Sequence, residues 1–260
     1  NSKEYIWGTG NASTLKKADN EALAALISQI STNVSSQFSQ LTEGGTDGDK
    51  ATVDETFKSV INTYSRATLN NTRRIVIQNE AAVMRYIKVS EIQRIFEGRK
   101  TKLLDFTQEA IKAEKKAQVA DALRYYYWAL ILLQSYPDGN FLTMKDEEGK
   151  EQLLCNWIPK QMNEIFSHLE VSINEVHIDG DLKTIDLKVL YKGKPARNYD
   201  YTYFDGRDWS NIFSAKDGLG IIEMPAVANA KGMQIKTEYM FEGESNIDNE
   251  LAEVDRKSVV

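Results

Sequence analysis

The chain carries one cysteine, two histidines and no apolar run long enough to cross a bilayer. Each shortage removes a class of function. A single thiol makes neither an intrachain disulfide nor a cysteine-rich zinc site. Cys155 sits among Leu153, Leu154, Trp157 and Ile158, a setting in which a buried, inert thiol is expected. His168 and His177 leave little from which to assemble histidine-based nucleophilic catalysis. An excess of basic charge is also lacking, with 32 Lys and Arg against 38 Asp and Glu. The formal net charge of -6 argues against a general nucleic-acid binder, which needs a basic face to release phosphate counterions. Arg73-Arg74 with Lys88 nearby is the local exception, and it reads as a solvated face. Because the chain begins at Asn1 rather than Met, a trimmed N-terminus is expected, with any export signal already removed.

What is present can fold. Hydrophobic residues at 42% and charged residues at 27% belong to a globular chain rather than a disordered one, and 260 residues favour more than one core. The start is the most patterned stretch. Tyr5-Ile6-Trp7-Gly8-Thr9-Gly10 reads as a strand ending in a glycine turn, and Leu15, Ala18, Ala22, Ala25 and Leu26 then form a narrow apolar helix face. Beyond Gln29 the residues Ile30, Thr32, Val34, Ser36 and Phe38 fall on one side of an extended chain, so the spacing predicts a strand there. The glycine- and aspartate-rich stretch from Gly44 to Asp49 predicts a loop, and Val53 to Thr68 is ambiguous between helix and strand. Arg74 to Gln78 and Ala82 to Val89 predict a hairpin turning at Asn79-Glu80.

Helical spacing follows. Ser90 and Gln93 form a capping-box pattern before Ile92, Ile95, Phe96, Leu103, Phe106 and Ala110. The segment Asp121 to Leu133 is apolar on nearly every face and should lie buried, with Pro137-Asp138-Gly139-Asn140 stopping it. After the charged loop from Lys145 to Lys150, a third helix is expected over about Glu151 to Leu169, kinked by Pro159. Past Leu169 the sequence turns to short alternating runs. Turns at Asp179-Gly180-Asp181, Lys192-Gly193-Lys194-Pro195, Asp205-Gly206 and Asp217-Gly218 separate them, which predicts an antiparallel sandwich with Ile185, Leu187, Val189 and Tyr191 facing inward. The pattern as a whole implies an α+β fold. Residues 1–89 would form an N-terminal α/β module, 90–169 a helical extension packed on it, and 170–260 an antiparallel β-sandwich domain expected to continue beyond Val260.

On Tyr5 to Gly10, on Ala18, Ala22, Leu23 and Leu26, and on the run Ile30-Ser-Thr-Asn-Val-Ser-Ser, the first ninety or so residues resemble the Lpp-twenty family of bacterial outer-membrane lipoproteins and the N-terminal domain of flagellar assembly protein T. The resemblance implies an exported envelope protein without catalytic residues. It departs at the anchor, because lipoproteins are held by an N-terminal cysteine and none precedes Ser2 or Lys3. Ala122-Leu-Arg-Tyr-Tyr with Ala129-Leu130 resembles part of a tetratricopeptide-type helix pair, but no second copy is found, and a core helix is the favoured reading. Gly193-Lys194-Pro195-Ala196, Asp217-Gly218 and the strand Ile221 to Met224 are similar to prealbumin-like or immunoglobulin-like sandwich modules, which implies a binding or spacer unit.

The best local chemistry lies in one turn. Asp205, Arg207, Asp208 and Trp209 combine carboxylates, a guanidinium and an aromatic face, suited to a sugar ring or a calcium ion, although the spacing is not that of a calcium loop. Tyr201 and Tyr203 are candidate sugar-stacking neighbours. Asp179 and Asp181 read as an ordinary hairpin turn, and Gly8-Thr9-Gly10 lacks the residues of a phosphate loop. No catalytic residue, cofactor or metal site is expected. The functional expectation is a non-catalytic protein of the bacterial periplasm or outer-membrane surface, a scaffold or partner-binding module. Its partner would be another envelope protein or a cell-wall component; membrane contact would come only through a lipid anchor, and nucleic acid is not expected. The alternatives are a carbohydrate or cell-wall-fragment binder and, third, a hydrolase of envelope polymers.

Overall fold

The computed structural model describes residues 4–42, 72–77, 81–136, 139–226, 233–239 and 241, with side chains left aside over 35–42. The loop expected from Gly44 to Asp49, the ambiguous segment Val53 to Thr68, the turn at Asn79-Glu80 and the polar tail from Glu244 lie outside these residues. The fold is α+β, with an N-terminal α/β module and a β-rich C-terminal region. Two compact units interleave along the chain: among the described residues, one takes those up to Leu103 and Ile131–Leu154, the other Leu104–Leu130 and those from Cys155 onward.

In the first unit, β1 (Tyr5–Asn11) leads into α1 (Leu15–Thr42), and the antiparallel pair β2 (Arg73–Ile77) and β3 (Ala82–Lys88) completes a sheet of order β1-β3-β2. The predicted hairpin is therefore present. The predicted strand over Ile30 to Phe38 is not, because α1 runs through it. Ala18, Ala22, Leu26, Ile30 and Val34 are all fully buried and recur every four residues, so Ile30 and Val34 extend the stripe begun by the alanines. That continuous face outweighs the weak preference of β-branched residues for strand. Thr32 fits the helix by donating its hydroxyl to the Ser28 carbonyl at 2.9 Å.

Gly8 and Gly10 also differ from expectation. They lie inside β1, and neither has a positive φ. A Cβ on Gly8 would run into the backbone of Ala22 and Leu26, and one on Gly10 into the backbone of Ala18 and Ala22. The glycines thus permit contact between strand and helix backbones, with alanines supplying the matching small surface. Leu26, Ile30, Val34 and Ile87 pack with Ile92 and Phe96 of α2 (Val89–Lys115) and with Tyr136, which follows α3 (Val119–Gln134). Ala122, Leu123, Tyr126, Ala129, Leu132 and Leu133 of α3 are buried, as a helix apolar on nearly every face must be. The segment expected as a charged loop closes a short hairpin of β4 (Thr143–Lys145) and β5 (Glu151–Leu153), so the next helix, α4 (Leu154–Ser167), starts three residues later than the pattern indicated.

In the second unit, β6 (Leu169–Asp179), β7 (Leu182–Tyr191) and the short β8 (Lys194–Pro195) join β11 (Leu219–Pro225) in one antiparallel sheet. β9 (Tyr199–Phe204), β10 (Phe213–Ala215) and β12 (Gln234–Thr237) form another, ordered β10-β9-β12. Ile185, Leu187, Val189 and Tyr191 are buried as expected, together with Ile222 and Met224. The glycine turns hold: Lys192-Gly193 and Asp217-Gly218 each place two consecutive residues at positive φ, the conformation of tight hairpin turns. Tyr199, Tyr201 and Tyr203 alternate along β9 and are buried. The Tyr201 and Tyr203 hydroxyls donate to the carbonyls of Ile221 and Glu223, both at 2.7 Å, which ties one sheet to the other.

Candidate functional site

The turn after β9 is built around one carboxylate. Asp205 Oδ1 accepts the amides of Arg207 at 2.8 Å and Asp208 at 3.0 Å, and these hydrogen bonds hold its carboxyl below the usual aspartate range. Gly206 takes a φ of 104°, which other residues resist. The chain then returns antiparallel, with Trp209 bridged to Phe204. Ser210 fastens the return: its amide donates to the Tyr203 carbonyl at 2.8 Å, and its hydroxyl accepts the Tyr203 amide at 3.0 Å. Trp209 leans on the Phe204 ring at 5.6 Å between centroids and stays 49% exposed.

The four candidate residues therefore share a turn but have different tasks. Asp205 is committed to the backbone, whereas the side chains of Arg207, Asp208 and Trp209 face solvent. Tyr201 and Tyr203 do not join Trp209 as a sugar platform. Both are buried against the opposite sheet, because alternation along the strand places them on the inner face of β9.

Among the described residues, one group of three His, Cys, Asp or Glu side chains has all its ligand atoms within 4.8 Å of one another: Glu175, His177 and Asp186. Neither Asp205 nor Asp208 belongs to it. Sequence reasoning missed this group because Asp186 comes from the next strand. A usable signal existed, since counting back from the predicted two-residue hairpin loop Gly180-Asp181 places Glu175 opposite Asp186. His168 is elsewhere, its Nδ1 2.8 Å from the Glu164 carbonyl at the end of α4. Cys155 is partly exposed on α4 rather than buried. Arg74 of the basic triplet reaches Asp19 at 3.4 Å, and Lys88 lies over the Tyr5 ring.

The N-terminal sheet offers a different kind of site. Gly8, Gly10, Val83, Arg85 and Ile87 point to the α1 side, so Trp7, Thr9, Met84, Tyr86, Ile75 and Ile77 share the other face. Register aligns Trp7 with Tyr86, and Ile75 with Met84. Trp7 is 50% exposed, Ile75 48% and Ile77 49%. Among the described residues no helix is long and apolar enough to cross a membrane. No protein-family model, curated protein or solved structure matches the chain.

Proposed function

We propose that this chain is a non-catalytic, partner-binding module of the bacterial cell envelope, located in the periplasm or at the outer-membrane surface. The observation that carries the binding part is the open face of the N-terminal sheet. Trp7, Ile75 and Ile77 are large apolar side chains half exposed on one face of one sheet, and such faces mark surfaces that another molecule covers. A protein surface is the favoured occupant, since the face mixes apolar side chains with Tyr86 and Arg73, the composition enriched at interface centres. The envelope part rests on the resemblance to Lpp-twenty proteins, now carried by β1 and the alanine face of α1 without the third element at Ile30 to Ser36.

Two measurements test the two parts separately. Photo-crosslinkers at positions 7 and 75 in the complete gene product should give an adduct of defined mass in cells, which Ile77→Lys abolishes; adducts unaffected by that substitution would remove the binding face. Fractionation of the same cells should find the protein with the envelope. A cytoplasmic pool alone would end the localisation.

Trp209 supports a second reading, a binder of carbohydrate or cell-wall fragments, because a half-exposed indole on a braced turn is suited to stack on a sugar ring. Titration with peptidoglycan fragments should then give heat that Trp209→Ala abolishes. Equal heats from both proteins would leave that reading without support.

A further inference from the structure

The hairpin of β6 and β7 contains a β-bulge on β6 that brings two polar side chains, Glu175 and His177, into phase with Asp186 of β7. Up to Ile173 the strand alternates normally, with Val171 paired to Val189 and Ile173 to Leu187, on the face of the sheet where the β7 residues are buried and Val171 and Ile173 themselves are exposed. Unbroken alternation would put Glu175 on that face too. Instead the register shifts between Ile173 and Glu175, Asn174 is the extra residue, and Val176, although exposed, shares the face of buried Ile185. Glu175 and His177 consequently share the outer face with Asp186. Glu175 is the direct cross-strand partner of Asp186, and His177 follows two residues along.

We propose that Glu175, His177 and Asp186 form a binding site for a divalent transition-metal ion of the zinc class, a site separate from the binding face of the N-terminal sheet. His177 Nε2 lies 3.1 Å from Glu175 Oε2 and 3.6 Å from Asp186 Oδ2. Donors about 2.0–2.2 Å from a tetrahedral ion stand roughly 3.3–3.6 Å from one another, so the separation to Asp186 matches an edge of such a site and the separation to Glu175 is a little shorter than one. Donor chemistry selects the metal. One imidazole nitrogen with two carboxylates suits zinc and its neighbours, whereas magnesium and calcium favour oxygen alone. His177 would bind through Nε2 and keep its proton on Nδ1.

Two further features fit a cation here. Paired carboxylates directly opposite each other repel across a strand pair, and a divalent ion between them removes that repulsion. The strands are also continuously paired from Glu175 to Asp179, which holds the donors on regular backbone rather than on a loop. Glu175 and His177 are exposed and Asp186 half-buried, so water would complete the coordination and the ion would exchange with solvent. Lys188 shares the face two positions from Asp186 and is the nearest competing cation along β7.

The test is titration of the metal-free, untagged chain with Zn2+ in competition with a chromophoric chelator. One equivalent should bind. His177→Ala should abolish it, and Glu175→Gln or Asp186→Asn should weaken it by more than the roughly 10–100-fold cost of losing an outer-shell partner. His168→Ala should leave binding unchanged, and excess Mg2+ should not displace the zinc. Because the three side chains are at least partly exposed, far-UV circular dichroism should be the same for every variant. Absence of stoichiometric binding by the parent chain, undiminished binding by His177→Ala, or loss of binding in His168→Ala would each overturn the site. Displacement by Mg2+ would overturn the metal class.

Discussion

Arg85 meets Asp19 through two hydrogen bonds, Nε to Oδ1 at 2.7 Å and Nη2 to Oδ2 at 2.9 Å, and so fixes β3 to α1. Arg74 adds a longer contact to the same carboxylate at 3.4 Å. The pair lies on the helix-covered side of the sheet, with side-chain exposures of 23% for Arg85 and 19% for Asp19. Fork-to-fork geometry of this kind restricts the register of helix against strand as well as adding attraction.

The first prediction concerns pH. Hydrogen bonds from Arg85 hold the Asp19 carboxyl below its ordinary value of 3.8, partly opposed by desolvation. A carboxyl lowered in the native state stabilises it fully above the unfolded value, and that stability disappears as pH falls through the native one. Asp19→Asn should therefore cost about 1 kcal/mol at neutral pH, a modest figure because both groups keep some water contact. In urea titrations at decreasing pH, the gap between parent and variant should close in strong acid. A gap independent of pH would show that the carboxylate charge is not what matters.

The close approach of β1 to α1 makes the second prediction severe. A methyl group at position 10 would meet the carbonyl oxygen of Ala18 and the amide nitrogen of Ala22, which are backbone atoms that cannot swing aside. Gly10→Ala should lower stability by about 3 kcal/mol or more, above the usual overpacking cost in a core where a side chain can move. Gly98→Ala is the control, because a Cβ there meets nothing within 4 Å. Thermal melting should separate the two clearly; similar melting points would refute the backbone-contact explanation.

Glu114 carries the third prediction. Its Oε1 accepts the Tyr191 hydroxyl at 2.7 Å and the Lys192 ammonium at 3.1 Å, while Oε2 accepts the Tyr126 hydroxyl at 3.0 Å. Burial pushes the Tyr191 phenol up to about 12, and Glu114 adds to the rise. A phenol raised in the native state contributes stability below its unfolded value near 10 that is lost as pH climbs through the native value. Stability should fall over that alkaline window, and Tyr191→Phe should remove one tyrosine's share of the fall. Glu114→Ala should cost about 2–3 kcal/mol at neutral pH by leaving two phenols short of an acceptor.

What the sequence disclosed depended on the range of the forces involved. The turns at Lys192-Gly193 and Asp217-Gly218, the inward face of β7 and the β2–β3 hairpin rest on contacts between near neighbours, and they are present. Ile30 to Val34 misled because a run of β-branched residues satisfies a period of two locally, and only the buried stripe back to Ala18 reveals the helix. Gly8 and Gly10 look like turn formers until the helix backbone beside them is known. Tyr201 and Tyr203 read as sugar-stacking residues until the opposite sheet that buries them and accepts their hydroxyls is known. The Glu175, His177 and Asp186 group is reached by counting back from the Gly180-Asp181 turn, whereas the alternation of Val171 and Ile173 runs out of phase with it across the shift at Asn174.

The Asp205 turn supplies the last prediction, an order of effects within one loop. Asp205 Oδ1 holds two backbone amides, so Asp205→Ala removes the bonds that shape the turn. Arg207 and Asp208 keep their side chains in solvent and serve the turn chiefly through backbone amides, the Arg207 charge being only a lesser influence on Asp205, so Arg207→Ala and Asp208→Ala should leave it formed. Trp209→Ala loses the ring contact with Phe204 but not the backbone bridge, which belongs to the main chain. Amide hydrogen exchange at Tyr203 and Ser210 reads the result, since both amides are bonded across the turn. Exchange should accelerate most in Asp205→Ala, slightly in Trp209→Ala and not at all in the other two. If Trp209→Ala opens the turn as far as Asp205→Ala does, the indole is a structural anchor, and its exposure no longer argues for a ligand.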